Sequence, residues 1–163
     1  MDSDILKGKL ILVVDDEQDV VDTVTEILSD CIVHQASDFD SGIQYILSYT
    51  YDVVVLDIMG VNGFELLKAA VKRGFPTVML TAHAITPEAL KKSMKLGAVT
   101  FLPKEMLPNL KEFLEDIVLG GGKQAWRKLF DKFESYLNKH FGPDWKLKDR
   151  YFSEFIESLS KNQ

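Results

Sequence analysis

The sequence predicts an α/β fold, five parallel strands in one doubly wound sheet flanked by five helices, followed by a helical C-terminal extension. Three observations lead there. Five short apolar runs alternate with stretches of helical periodicity over the first 119 residues. Three of these runs lack polar alternation, the pattern of parallel strands covered on both faces. Beyond "GGG" at 120–122 the composition turns aromatic-rich and amphipathic.

The predicted strands are "KLILVV" (9–14), "CIVHQA" (31–36), "DVVVLD" (52–57), "PTVMLT" (76–81) and "VTFLP" (99–103). The first, third and fourth are the uninterrupted ones. Val20, Val21, Val24, Ile27 and Leu28 form the apolar face of the first helix. Phe39, Ile43, Ile46 and Leu47 form that of the second, and Phe64, Leu67 and Val71 that of the third. Leu90 and Met94 mark the fourth; Leu110, Phe113, Leu114, Ile117 and Val118 mark the fifth. Alternating strands and helices imply right-handed crossovers. The glycines at 120–122 then read as a flexible joint. After it, a helix at about 123–141 carries Trp126, Leu129, Phe130, Phe133, Leu137 and Phe141 on one stripe. "GPDW" breaks that helix, and a second follows at about 147–160. The organisation is therefore 1–119, a linker at 120–122, and a helical hairpin at 123–163.

The 163 residues, 46% hydrophobic and 27% charged, suit one globular domain with a small appendage. No apolar run approaches the roughly 18–20 residues of a membrane span, so no membrane partner is expected. The start "MDSDILKGKL" lacks the apolar core of a signal peptide. A lone cysteine, Cys31, excludes an internal disulfide and fits a reducing cytoplasm. Residues 1–122 carry 10 Lys/Arg against 19 Asp/Glu, and residues 123–163 carry 9 against 6. An acidic body and a tail with interspersed charges argue against nucleic-acid binding. His34, His83 and His140 lack metal-ligand spacing, and no phosphate-binding loop or nucleophile elbow is present.

In parallel α/β sheets, functional groups gather at the carboxyl ends of the strands. Here those ends supply Asp15 and Asp16, Asp57, Thr81 and Lys104. Each alone has a plainer reading: helix caps for the acid pair, a strand-end hydroxyl, a solvated loop lysine. All five at the ends of the right strands point to chemistry. Three close carboxylates need a counter-charge. Mg²⁺, a hard cation taking oxygen ligands, answers that need. Lys104 adds a positive charge, Thr81 a hydroxyl, and the loop amides after Asp57 an anion pocket. Together they suit phosphoryl transfer with Asp57 as nucleophile.

The motifs "VVDDE", "LDIM", "LTAHA" and "GAVTFLPKE" resemble those of receiver domains of two-component response regulators, over residues 9–119. The resemblance implies a flavodoxin-like sheet of order 2-1-3-4-5. It implies that Asp57 accepts phosphate from a histidine kinase or phosphotransfer protein, and that the domain signals to a downstream protein. It further implies that Asp16 binds Mg²⁺ directly, Asp15 through water, and the backbone carbonyl of Met59 as a further ligand. Thr81 and Phe101 would be the switch pair that moves on activation. The chain departs from the family in two places. The loop after Asp57, "IMGVNG", lacks two residues including the usual proline. The family's proline after its lysine is replaced by Glu105, in place of a lysine–proline bond that is usually cis. His83, two residues past Thr81, stands where it could tune hydrolysis of the acyl phosphate, or serve only as a surface histidine.

The extension holds nine aromatic side chains from Trp126 to Phe155, too many for a two-helix hairpin to bury alone. It is expected to dock on the domain, on a second copy as a homodimer, or on a partner. Two alternatives stand beside the signalling switch: a scaffold whose shortened loop has abolished phosphorylation, and a phosphohydrolase. Met59 occupies the position where the last would need a second acid.

Overall fold

A computed structural model describes residues 4–82, 86–120 and 122–161. The five strands are β1 (Leu10–Val14), β2 (Ile32–Ala36), β3 (Val53–Asp57), β4 (Thr77–Thr81) and β5 (Thr100–Pro103). They pair in parallel in the order β2-β1-β3-β4-β5. The sheet and its order agree with expectation. Every residue of β3 and β4 is buried, whereas β2, at one edge, leaves Ile32 and His34 partly open.

The helices are α1 (Gln18–Ile27), α2 (Phe39–Ser48), α3 (Gly63–Lys72), α4 (Pro87–Lys95) and α5 (Leu110–Val118). α1 and α5 pack together on one face, and α2 and α3 on the other. Local chemistry starts two of them. The Asp38 carboxylate accepts the Ser41 N–H at 2.8 Å to cap α2. Thr86 accepts the Ala89 N–H at 3.1 Å to cap α4, with Pro87 at its first position. Two residues of the predicted apolar faces turn outward, Leu47 and Val71. On α2 the inward stripe is Gly42 and Ile46. A Cβ at Gly42 would lie 3.2 Å from Val14, so the glycine lets the helix close on β1 and rotates Leu47 to solvent.

Gly120, with φ of 91°, ends α5 in the left-handed conformation that favours glycine. Where a joint is predicted, α6 (Gly122–Phe141) already begins at Gly122 and packs on α5 and β5. The second helix of the expected hairpin is divided into α7 (Trp145–Lys148) and α8 (Arg150–Lys161). Asp149 divides them: its backbone is extended, and its carboxylate accepts the Tyr151 N–H at 2.8 Å, opening α8. Trp145 is the centre of the extension, with ring centroids 5.1–6.0 Å from Phe130, Phe141 and Phe152. The extension seals the β5 edge of the sheet. The buried Trp126 indole N–H donates to the Ala98 carbonyl at 3.1 Å, and Leu129 and Leu137 are fully buried. Each such apolar side chain contributes about 1.5–3 kcal/mol on burial. None of the described helices is long and apolar enough to cross a membrane.

Candidate functional site

The carboxyl ends of β1, β3 and β5 all border one acidic cluster. Asp15 follows β1 and is fully buried; Asp57 ends β3 and is nearly so; Asp16 is exposed. One oxygen from each of the three carboxylates lies within 4.8 Å of the others. The Lys104 ammonium, from just after β5, sits among them at 2.9 Å from Asp15 and 3.2 Å from Asp57. Its third partner is Glu17 at 2.7 Å.

The electrostatics follow from burial and these contacts. Burial pushes the Asp15 carboxyl above its ordinary range; the Glu17 N–H and Lys104 pull it back, and the Asp57 charge adds to the rise. For Lys104, burial alone would lower the ammonium's pKa. The hydrogen bond to Glu17 and the ion-pair contact with Asp15, with the charges of Asp15 and Asp57, outweigh burial and raise it. Asp15 Oδ2 makes no well-aligned hydrogen bond and takes its compensation from the Lys104 charge. The site therefore has hard oxygen donors in excess of its single ammonium, and that donor set fits Mg²⁺.

The loop after Asp57 closes despite its short length. The Asp57 Oδ2 accepts the Gly60 N–H at 2.9 Å. Asn62 takes φ of 56°, a left-handed conformation that asparagine tolerates, and so turns the chain into α3. Gly63 N–H reaches back to the Ile58 carbonyl at 2.9 Å. Two glycines permit this packing. A Cβ at Gly63 would lie 2.0 Å from the Asp57 carbonyl oxygen, and one at Gly60 would lie 2.3 Å from the Asp16 carboxylate.

The other expected residues fall as follows. Thr81, at the end of β4 in register with Pro103, is buried, and its hydroxyl makes only a long 3.3 Å bond to the Ala82 carbonyl. Phe101 is fully buried in β5. Met59 projects its side chain into solvent, and its carbonyl accepts the Asn62 N–H at 3.4 Å. The Lys104–Glu105 bond is trans. His83 lies outside the described residues. Glu17 and Gly60 are contributors that the motifs do not single out. Glu17 stands one residue past the acid pair, and in sequence it is indistinguishable from a helix-capping acid.

Residues 11–116 match the profile described as the response regulator receiver domain. The chain is 35% identical over 100 residues to the transcriptional regulatory protein DltR of Streptococcus agalactiae, and 38% identical over 105 residues to the regulatory protein VanRc of Enterococcus gallinarum. These alignments cover 58% and 60% of this chain and 44% of each relative, so the chain matches less than half of either protein's length. Its fold is similar to that of a CheY-like receiver domain protein from Methanospirillum hungatei. There the TM-score is 0.65 at 24% identity, covering 72% of this chain and 99% of that one. It is also similar to NtrX from Brucella abortus, with a TM-score of 0.59 at 31% identity over 68% of this chain and 27% of that one.

Proposed function

Because the chain belongs to the response regulator receiver domain family of two-component signalling, we propose that Asp57 is its phosphoacceptor. In this reading a carboxylate oxygen of Asp57 attacks the phosphorus of a phosphohistidine on a histidine kinase or phosphotransfer protein. The new P–O bond forms as the P–N bond breaks, and the departing imidazole takes up a proton. One observation supports this most directly: Asp57 is held rigidly between the Lys104 ammonium and the Gly60 N–H, with Asp15 and Asp16 beside it. Lys104 offsets the charge gathering on the phosphoryl oxygens, and the Gly60 amide orients the attacking carboxylate. Asp16, Asp57 and the Met59 carbonyl would hold Mg²⁺ directly and Asp15 through water. When bound, the ion would neutralise the remaining oxygen charge. Thr81 would donate its hydroxyl to the phosphoryl group, and Phe101 would adjust with it. The protein would act in the cytoplasm as a switch that works through protein contacts and catalyses its own phosphorylation.

Incubation with acetyl phosphate and Mg²⁺, followed by intact mass measurement, tests this. A gain of one phosphoryl group that disappears in Asp57→Asn is the expected result. No adduct on the wild-type chain would leave the fold as a scaffold.

A further inference from the structure

We propose that the extension α6–α8 is this chain's own output element, docked on the domain in a manner that depends on the charge at Asp57. This rests on the phosphoacceptor reading of that residue.

Two arms run from the site to the extension. In the first, Lys104 contacts Asp57 at 3.2 Å, and the next residue, Glu105, accepts the Tyr136 hydroxyl of α6 at 2.9 Å. In the second, β4 ends at Thr81 ahead of α4, and α4 is tied to the extension by Lys91. That lysine pairs with Asp149 at 2.7 Å and lies 5.7 Å from the Tyr151 ring, while Lys95 lies 5.1 Å from the same ring. Between the arms, Trp126 bonds Ala98 just ahead of β5, the strand that carries the buried Phe101. The extension thus grips the two segments that follow β4 and β5, on one side of Asp57 in the sheet.

An acyl phosphate at Asp57 carries about 1.5–2 negative charges in place of the single carboxylate charge, a net gain of up to about one, and it projects that charge farther from the strand. The Lys104 ammonium, now shared among three carboxylates, is drawn to the new charge, and Glu105 follows it along the backbone. Hydrogen bonds weaken steeply with misalignment, so the Tyr136 and Asp149 contacts suit the unmodified site better than the modified one. A group that the two docking states hold differently shifts the balance between them. The linkage is reciprocal, so loosening the extension eases phosphorylation.

Both tryptophans of the chain lie in the extension, which supplies an intrinsic reporter. The test uses the full-length chain with Mg²⁺, with and without beryllofluoride as the phosphoryl mimic. Hydrogen–deuterium exchange of peptides from 122–161 and tryptophan fluorescence are followed together, and acetyl phosphate labelling read by intact mass reports on Asp57 separately. Exchange in α8 and the second half of α6 is expected to accelerate about fivefold or more on loading, with no response in Asp57→Asn. The double variant Tyr136→Phe/Asp149→Asn should exchange faster without the mimic and accumulate more adduct at a fixed acetyl phosphate concentration. An adduct with unchanged or slowed exchange in 122–161 overturns the coupling and leaves the phosphoacceptor reading intact. Absence of an adduct overturns both.

Discussion

The Lys104 ammonium lies closer to Glu17, at 2.7 Å, than to Asp57, at 3.2 Å. Glu17 is more than half exposed while Asp57 is nearly buried, so the shorter contact is the more screened of the two. Glu17 therefore competes for the ammonium that phosphoryl transfer needs. Glu17→Gln is expected to speed labelling by acetyl phosphate about two- to fivefold, the scale of an exposed ion pair. A time course of intact mass measures it, and slower labelling would show that Glu17 positions Lys104 productively.

Lys104 also carries a structural duty, because it compensates two buried carboxylates. Lys104→Met should destabilise the fold by roughly 3–5 kcal/mol, as expected when one member of a buried ionic group is removed. Urea unfolding reads this. Saturating Mg²⁺ should restore part of the loss, since it supplies the missing positive charge, and Asp15→Asn added to Lys104→Met should do the same. A loss below about 1 kcal/mol would place the cluster among weakly coupled surface pairs.

The two loop glycines should separate stability from metal affinity. At Gly63 an added methyl meets backbone, the Asp57 carbonyl oxygen, at 2.0 Å. Gly63→Ala should cost about 3 kcal/mol or more in urea unfolding. At Gly60 the obstacle is the movable Asp16 side chain at 2.3 Å. Gly60→Ala should leave unfolding nearly unchanged and weaken Mg²⁺ binding about tenfold, because Asp16 must swing away. Titration calorimetry checks the second effect, and equal affinities would argue that Asp16 is not a ligand.

The extension should loosen at both ends of the pH scale. The hydrogen bond from Lys91 first, and then the Tyr151 N–H, hold the Asp149 carboxyl below its ordinary value of 3.8. Asn109, then Lys132 and Lys128 of α6, hold Glu112 below 4.5. Both are depressed in the folded state, so their stabilisation is present above those ordinary values and is lost as pH falls through the lowered ones. Burial, then Glu105, pushes the Tyr136 hydroxyl from 10 up to about 12. Its contribution is present below pH 10 and is lost as pH rises through about 12. Tryptophan fluorescence should show both steps, with Asp149→Asn shrinking the acid one and Tyr136→Phe the alkaline one. An acid step unchanged by Asp149→Asn would assign it to other carboxyls.

Much was legible in the chain itself. The unbroken runs "ILVV", "VVVL" and "TVML" can satisfy their apolar side chains only when covered on both faces, which a parallel sheet provides. That sheet necessarily delivers Asp15, Asp16, Asp57, Thr81 and Lys104 to one edge, because residues at strand ends share an edge whatever the loops do. The site's composition followed from where the strands end, and the strand order from the resemblance that the motifs carry. What tertiary structure alone decided depends on contacts between residues far apart in sequence. Glu17 and Lys104, 87 positions apart, meet only once β1 and β5 are in place. Tyr136 finds Glu105, and Asp149 finds Lys91, only because α6 packs against β5. A periodic stripe of Trp126, Leu129 and Leu137 states that one face must be buried, but not against what. The β5 edge, which pairs with no further strand, and its flanking helices supplied the surface, and their geometry chose it.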